Sequence, residues 1–548
     1  MATDTDSAVP TRQDELLRRR LGFWSLLATG VGSVIGSGWL LASMYAAQAA
    51  GPAALLAWVI GGLVMLLVAL VFAELGMVKP ESGGLVRYPL YSNGRLAAAV
   101  VGWSMWVAYV GNPPTEAAGV LQYASAYLPG LYSGTQLTGL GVLAAIGLML
   151  VFVVVNYFGV ALFARTNNLI TAIKVFVPTL TVVALIVSGF QGGNFGSAHG
   201  GPAPYGWSAA LSTIATAGMV FAYTGFRNVI ELSGEARDPR RTVPRALITT
   251  IVVCIVLYLA LQTAFLGAVP GRLLGHGWHG VNLDSPFADL AMMLNMTWLY
   301  WILIADSMVS PSGSAIVYTA SNARNTFGLA KNGFFPQWTV RVHSRWGVPA
   351  RALAVNFVVG LAFLLPLPSW HAIIGVTGTL AVFTFAIGSV SVTAFRRLEI
   401  AGRDARLTGM GWIAPAAFAI SSLVIFWAGW TTLLKTIPIV VVGLVVFALG
   451  YLRRRDRTVD LRAGIWLPAY LAAMYALSLL GTFGGHRLIP APWDSVLVAA
   501  VSLAFYVWGV RSGVAHMRAD PDRTAALRAE AAADRGGRAS AAAPAGGQ

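Results

Sequence analysis

One glycine-rich stretch inside an apolar segment has the residue types of an anion-binding site. The sequence from Gly30 to Leu40 reads GVGSVIGSGWL and lies within an apolar run from Leu21 to about Ala49. Glycine weakens a helix, and backbone groups freed by a helix break cannot face lipid, so a break here must be buried in protein or line a cavity. A helix that restarts near Ser37 would point free N–H groups and its positive dipole end into that cavity. A small anion such as a carboxylate is the natural ligand there.

The same glycines also have a packing interpretation. Gly32 and Gly36 form a G-x-x-x-G pair, which lets a neighbouring membrane helix approach closely. Spacing alone does not separate the two interpretations. Ser37 and Gly38 add small polar atoms at mid-membrane depth, and this favours the binding site.

A second interruption is expected in the segment 221–227, which reads FAYTGFR. Gly225 marks the expected break, five predicted helices after the first one. Paired interruptions at corresponding positions of two halves indicate an inverted repeat with a site near the middle of the membrane.

Five charged residues fall within predicted membrane segments, where a charge is costly and usually functional. They are Glu116, Lys174, Arg227, Glu231 and Asp306. Glu231 lies near the cytoplasmic end, where a solvated helix end or a partner arginine explains it. Asp306 lies near Pro311 and either serves the site or pairs with a basic side chain in the core. Glu116 follows the kink-prone Asn112-Pro113-Pro114-Thr115 and either lines the cavity or contacts water at the outer end.

Composition places the chain among membrane proteins. Of its 548 residues 57% are hydrophobic and only 11% are charged, whereas a soluble domain carries about 25% charged residues. The single cysteine, Cys254, excludes a disulfide framework, and no metal-ligand cluster is apparent, so we expect no metal and no cofactor. The sequence has no Walker-type motif and no nucleophile–base pair, so an enzyme is not expected.

The apolar runs predict fourteen membrane-spanning helices in one bundle. The predicted spans are 21–49, 53–78, 97–118, 137–161, 167–189, 208–230, 246–268, 295–322, 351–366, 371–395, 411–433, 436–452, 464–483 and 493–511.

Basic residues give this topology an orientation. With the N-terminus inside, 32 of the 37 lysines and arginines lie on the cytoplasmic side, three lie outside and two lie within spans. This asymmetry is the positive-inside rule, so the net charge of +15 reflects topology and contact with anionic lipids rather than nucleic-acid binding. Residues 1–20 form a cytoplasmic tail without a signal-peptide pattern, and the tail 512–548 is expected to be disordered.

Several motifs together resemble one transporter family. They are Gly36-Ser37-Gly38, Glu74-Leu75-Gly76 with Pro80 and Gly83-Gly84, Phe221-Ala222-Tyr223-Thr224-Gly225-Phe226, Asp238-Pro239 with Arg241 and Pro244, and Ala323-Arg324 with Ala330-Lys331-Asn332-Gly333 and Pro336. On these residues the chain resembles the amino acid–polyamine–organocation transporter family across helices one to ten.

Further motifs resemble the bacterial aspartate–proton symporters of that family and extend into the last helices. They are Gly38-Trp39-Leu40, Arg87-Tyr88-Pro89, Leu367-Pro368-Ser369-Trp370 and Gly481-Thr482-Phe483-Gly484-Gly485. The resemblance implies an all-α, leucine-transporter-type fold with two inverted five-helix repeats. It also implies a transport core at 21–395, additional helices at 396–511, and a bacterial inner-membrane protein with both termini in the cytoplasm.

The resemblance implies a function, and together with the chemistry of individual residues it gives a set of expected site residues. Arg227 departs from the aspartate–proton symporters, which resemble this chain but have a histidine there, so its expected role rests on the chemistry of its guanidinium. We expect secondary active uptake of an acidic amino acid, driven by protons through alternating access. The expected substrate-binding residues are Val34, Gly36, Ser37, Gly38, Asn112, Glu116, Phe221, Ala222, Thr224 and Arg227, and those for proton coupling are Lys174 and Asp306.

Two of these expectations have alternatives in the residues themselves. Lys174 resembles a substitute for the sodium ion of sodium-coupled members, but it also lies close enough to the cytoplasmic interface to extend towards water. Arg227 suits a substrate carboxylate, but a resident acid such as Glu116 or Glu231 would also neutralise it.

Three alternative functions stay open at this point. A neutral-amino-acid carrier and a sodium-coupled carrier are both possible, the latter because Ser310, Ser312 and Ser314 offer oxygen ligands. A membrane sensor that binds an amino acid without transport is the third. The sequence indicates contact with membrane lipids and leaves the oligomeric state open.

Overall fold

The computed structural model describes residues 21–80, 84–158, 160–331, 333–340, 343, 348–453 and 461–541, which are mostly helical. The first helices are α1 (Phe23–Val34), α2 (Ser37–Ala50), α3 (Ala54–Val78), α4 (Gly84–Val110), α5 (Asn112–Ala124), α6 (Gly139–Phe158), α7 (Val160–Gly189), α8 (Trp207–Thr216), α9 (Met219–Tyr223) and α10 (Arg227–Glu231). The others are α11 (Pro239–Ala268), α12 (Pro286–Met293), α13 (Thr297–Lys331), α14 (Ala350–Leu364), α15 (Trp370–Arg397), α16 (Met410–Trp427), α17 (Trp430–Arg453), α18 (Trp466–Leu480), α19 (Trp493–Ala519) and α20 (Pro521–Ala541). Within the described ranges the strands are β1 (Tyr132–Ser133) and β2 (Gln136–Leu137), an antiparallel pair.

The helices have the length and apolarity of a polytopic membrane protein. In the described part of the chain, nine helical stretches are long and apolar enough to cross a membrane, and α8 with α9 and α10 makes a tenth if the bent pair is one span. Each of the fourteen predicted spans overlaps a helix. The all-α membrane architecture is thus confirmed, whereas the number fourteen stays a prediction.

The bundle has a buried centre and a lipid-facing rim. Helix α15 is buried along nearly its whole length and packs against α4 and α16. Its many Gly, Ala, Ser and Thr residues allow this close approach. At the rim, α6 exposes a stripe of large apolar side chains that includes Leu140, Leu143 and Leu150. An apolar stripe of this kind is stable facing lipid and unstable facing water.

The glycine-rich stretch contains the predicted helix break. Helix α1 ends at Val34, Ile35 is extended, and α2 begins at Ser37 with Gly36 at its N-cap position. Both helix ends at the break are buried. The break therefore lies inside the protein and not against lipid, as the cost of bare peptide groups requires.

The second break lies at Gly218 and not at the predicted Gly225. Helices α8 and α9 meet at a bend of 51°, and Gly218 has φ +88°, a left-handed conformation that glycine adopts without strain. Gly225 lies in a short 3₁₀ segment, Thr224–Phe226. A Cβ at this position would overlap the backbone of Ser33 and Val34, so Gly225 is small because α1 packs directly on it.

The C-terminal tail contains a docked helix, in contrast to the disorder predicted from residue 512. Helix α19 continues to Ala519, and α20 follows it. Thr524, Leu527 and Ala531 form a buried face of α20, and their spacing of three and four residues is that of one helix face. Glu530 pairs with Lys79 at the end of α3. This face contains one leucine and otherwise small residues. In the sequence, such a pattern cannot be distinguished from that of a disordered, alanine-rich tail.

Candidate functional site

A carboxylate occupies the start of α2. The backbone N–H of Ser37 donates a hydrogen bond of 2.7 Å to Oε2 of Glu116. Glu116 lies on α5 and is 1% exposed. A Cβ at Gly36 would overlap this carboxylate, so glycine is what admits the group to the helix end. The predicted anion site thus contains a carboxylate of the protein itself, and its geometry is that of a helix N-terminus bound to an anion.

Glu116 was expected near the outer end of its helix or in the cavity, and the structure places it at the break. The preceding Asn112 begins α5 and bonds back through Nδ2 to the Ala108 carbonyl at 3.0 Å. Its Oδ1 is buried without a hydrogen-bond partner in the described structure. The two prolines that follow Asn112 are accommodated in the first turn of the helix, where their missing N–H groups cost nothing.

Lys174 joins three elements at the same break. Its Nζ is buried and donates to the Gly32 carbonyl and to Ser314 Oγ, both at 2.8 Å. The Ser314 hydroxyl is also 3.1 Å from the Ile35 carbonyl, which it can donate to. The lysine therefore links α7 and α13 to the end of α1, and it does not extend towards the cytoplasmic interface. Of the three serines considered as sodium ligands, Ser314 belongs to this lysine's network.

Asp306 lies on α13, within reach of a serine one turn along the helix. Ser310 Oγ donates to Asp306 Oδ1 at 2.9 Å. Oδ2 is buried and has no hydrogen-bond partner in the described structure. The pairing with a basic side chain that the sequence left open does not occur among the described residues.

Helix α9 brings its carbonyl groups close to the break in α1. Tyr258 Oη lies 3.2 Å from the carbonyl oxygen of Val34 and 3.1 Å from that of Ala222, so one hydroxyl spans both interrupted helices. Thr224 Oγ1 donates to the Phe221 carbonyl at 2.8 Å. The Phe221 carbonyl also accepts from the Thr224 backbone N–H, so both of its lone pairs are engaged within the helix end.

The small residue Gly38 allows α2 and α9 to pack closely. A Cβ at Gly38 would lie 3.1 Å from the Cβ of Ala222. The break in the first helix and the segment after the bend in the second thus face each other, with Phe221 beside them, 7% exposed. The expected substrate-binding residues from these two segments are therefore brought together.

Arg227 lies apart from the carboxylate of Glu116, against two tyrosine rings that contact each other. Its guanidinium carbon is 3.5 Å from the ring centroid of Tyr109 and 5.2 Å from that of Tyr318. The side chain is 1% exposed, and its Nε and Nη2 have no hydrogen-bond partner in the described structure. The tyrosine faces attract the cation, but they do not neutralise its charge.

Neither resident acid forms an ion pair with Arg227 in the described chain. Glu231 instead accepts hydrogen bonds from the Tyr109 hydroxyl and from Asn325 Nδ2. The alternative pair of Arg227 with Glu231 along one helix therefore does not form, and Tyr109 and Asn325 satisfy the carboxylate of Glu231 instead. Arg227 keeps free donors inside the protein.

Three site residues have no role in the sequence-based prediction. Trp370 donates through Nε1 to Ser37 Oγ at 2.7 Å, Tyr318 donates to the Ser33 carbonyl at 3.3 Å, and Tyr258 spans both breaks. Trp370 belongs to a motif that carried the family resemblance, and this was the one available signal. The tyrosines come from helices without a distinctive pattern.

Comparisons with known proteins identify the family. Residues 21–482 match the family described as amino acid permease. The chain is 40% identical over 511 residues to the glutamate/serine transporter AimA of Bacillus subtilis (strain 168), which covers 91% of this chain and 94% of that protein. It is 32% identical over 516 residues to the aspartate-proton symporter of the same organism, covering 92% of this chain and 99% of that protein.

A more distant similarity extends to animals. The human cationic amino acid transporter 4 is 30% identical over 403 residues, which are 70% of this chain and 60% of that protein. The broken, buried helices, the match to the permease family and the similarity to these relatives all indicate an amino acid transporter. The chain therefore belongs to the amino acid permease family, and it is a multi-pass membrane transporter and not an enzyme.

Proposed function

We propose that this protein is a secondary active transporter that takes up an acidic amino acid together with protons across a bacterial cell membrane. The observation that carries the proposal is the carboxylate of Glu116 at the first N–H of α2, beside the break that Lys174 holds. By their names, one bacterial relative transports glutamate and serine and another couples aspartate to protons. These names support the substrate class and the coupling ion.

The substrate's α-carboxylate would take the position that Glu116 now holds. In this structure, Glu116 supplies the negative charge that the N-terminus of α2 favours. An amino acid would bring its own carboxylate to the N–H groups of Gly36, Ser37 and Gly38. Two ionised carboxylates repel each other strongly at one site, so Glu116 must then move away or accept a proton.

The α-ammonium group would bind at the opposite, carbonyl-rich side. The ends of α1 and α9 present carbonyls from Val34, Phe221, Ala222 and Thr224, and a helix C-terminus carries partial negative charge. The ring of Phe221 would cover the bound molecule. In this arrangement, main-chain groups of the two interrupted helices bind the α-carboxylate and the α-ammonium group. Other residues must then bind the side chain of the substrate.

Lys174 would couple transport to protons. As an ammonium it makes charge-assisted hydrogen bonds to the Gly32 carbonyl and to Ser314, which hold α1 against α7 and α13. Loss of the proton would weaken these bonds and free α1 to move in alternating access. Asp306 lies on the same helix as Ser314 and is the second candidate for carrying a proton.

Arg227 would select for an acidic side chain. Its unpartnered Nε and Nη2 can hold a carboxylate bidentately. A buried guanidinium without an anion is costly, so an acidic ligand would be stabilised there more than a neutral one. One of the relatives handles serine as well as glutamate by name, and the experiment must therefore compare acidic with neutral substrates.

The proposed location is the cell membrane with both termini in the cytoplasm, which the distribution of basic residues supports. Purified protein in liposomes would test the whole proposal through uptake of labelled glutamate, aspartate, serine and alanine under a proton gradient or a sodium gradient. We expect glutamate or aspartate to accumulate only with the proton gradient. Accumulation with sodium alone would support the sodium-coupled alternative, and binding without uptake would support a sensor.

A further inference from the structure

The first residue of α15 contacts both interrupted helices. Trp370 is fully buried, and Ser369 caps its helix by accepting a bond of 3.2 Å from the Ala372 N–H. The indole Nε1–H donates to Ser37 Oγ at 2.7 Å. Ser37 is also the residue whose backbone N–H bonds the Glu116 carboxylate, so the indole acts on the anion site through one intermediate group.

Three neighbours fix the position of the indole. The ring of Trp370 stacks on Tyr45 with centroids 5.5 Å apart and planes inclined by 14°. It meets Phe221 edge to face at 6.2 Å. At the bend of the other broken helix, a Cβ on Gly218 would lie 2.7 Å from the indole Cη2. The indole can therefore turn little without displacing α2 or α9, and its N–H keeps one direction.

The fixed indole N–H of Trp370 determines the direction in which the Ser37 hydroxyl points its proton. A serine hydroxyl has one proton to donate and two lone pairs, and an indole N–H can only donate. Because the indole engages a lone pair of Ser37 Oγ, the hydroxyl proton is turned towards another acceptor. The carboxylate of Glu116, which accepts from the backbone N–H of the same residue, is an acceptor at this helix end.

We propose that Trp370 is a positioning residue for carboxylate recognition: its N–H holds the Ser37 hydroxyl so that the hydroxyl donates to the carboxylate at the start of α2. The inference rests on the proposed function, which places the substrate's α-carboxylate at Ser37. Trp370 does not touch that carboxylate. Its contribution should therefore be felt by ligands with a free α-carboxylate and should disappear when Ser37 loses its hydroxyl.

The test is a double-mutant cycle of Trp370→Phe and Ser37→Ala, measured as the KM of glutamate uptake in proteoliposomes. Losing a hydrogen bond to a charged network weakens binding about fivefold to tenfold. We expect each single variant to raise the KM by this factor, and the double variant to raise it no further. Competition by the α-amide of glutamate, which lacks the α-carboxylate, should be unchanged in Trp370→Phe.

Two matched variants separate positioning from packing. Trp466 is fully buried and its Nε1 has no partner in the described structure, so Trp466→Phe removes an indole N–H without removing a hydrogen bond. Its KM should equal that of the wild type. Trp370→His keeps a ring N–H near the place of the indole Nε1–H, and it should restore part of the glutamate affinity lost in Trp370→Phe.

Glutamate and its α-amide are compared within each variant. A general loss of packing would weaken the binding of both ligands, whereas a loss of carboxylate recognition would weaken only that of glutamate. Equal weakening of the two ligands, or multiplying effects in the double variant, would overturn the role of Trp370. If Ser37→Ala leaves the glutamate KM unchanged, the hydroxyl does not hold the carboxylate and the positioning role fails, whereas the placement at the backbone N–H groups, which this variant keeps, still stands. If Ser37→Ala weakens glutamate and Trp370→Phe does not, only the positioning role fails.

Discussion

At the residue scale, Glu116 and the incoming carboxylate compete for one set of N–H groups. Glu116→Gln keeps the shape of the side chain and removes its charge, which weakens its hold on the N-terminus of α2. We expect glutamate to bind about fivefold more tightly to this variant, because its carboxylate displaces a neutral amide more easily than an anion. Equilibrium binding to purified protein measures this change, and unchanged or weaker binding would contradict the competition.

A second residue-scale prediction concerns Arg227. Arg227→Gln should weaken binding of aspartate and glutamate at least tenfold more than binding of alanine or asparagine, since only an acidic side chain uses the guanidinium. Arg227→Lys is the matched control, because it keeps the charge and loses the bidentate geometry. Its acid preference should lie between the wild type and Arg227→Gln. An equal loss for acidic and neutral ligands would remove Arg227 from the pocket.

The sequence predicted the types of the site residues better than their partners. The glycines and Ser37 indicate a buried helix break because bare peptide groups are costly in lipid. This cost depends only on the local sequence, so it can be recognised without the tertiary structure. The occupant of the site does not follow, because Ser37 and Glu116 are 79 residues apart and only the packing of α5 against α2 joins them. Trp370 is 333 residues from Ser37, and its role was invisible for the same reason.

At the element scale, close packing of the two broken helices depends on a missing side chain. Gly38→Val should abolish amino acid binding, because even a Cβ would lie 3.1 Å from Ala222 and the branched side chain would push α2 from α9. Gly147→Val on α6 is the control, since a Cβ there meets no atom within 4 Å. Binding is measured together with thermal unfolding. Wild-type affinity in folded Gly38→Val would contradict the placement of the ligand between α2 and α9.

The two breaks were not equally predictable from the sequence. The first has four glycines in nine residues, from Gly30 to Gly38, which leaves few helical alternatives. In the second break, nothing in the sequence distinguishes Gly218 from Gly225. Their difference is tertiary: Gly218 adopts the positive φ of the bend, whereas Gly225 leaves room for the backbone of α1. The spacing of the residues does not indicate which glycine forms the bend and which one allows close packing.

At the scale of the whole molecule, the proposed orientation predicts which residues an impermeant reagent reaches. Cys254 is the single cysteine and is buried, so the wild type should not react and Cys254→Ala gives a cysteine-free background. In that background Arg272→Cys should be labelled by a charged maleimide added to intact cells. Arg518→Cys should be labelled only after permeabilisation. The reverse pattern would contradict cytoplasmic termini.

Global patterns were predictable where they depend on composition, and not where they depend on a single contact. Apolar runs identified the helical membrane segments because each segment must be apolar along its length. The docking of α20 depends on a few small residues and on the pair between Glu530 and Lys79, which join distant parts of the chain. Such contacts leave little trace in composition.

The most direct test of the account is glutamate accumulation by Lys174→Ala in proteoliposomes with an acidic exterior. Lys435→Ala, which removes an exposed lysine at the rim, is the control, and exchange of labelled for unlabelled glutamate measures transport that needs no net proton movement. If Lys174 couples protons to the movement of α1, Lys174→Ala should retain exchange and lose uphill accumulation, whereas Lys435→Ala keeps both. Full accumulation driven by the proton gradient in Lys174→Ala would contradict the account.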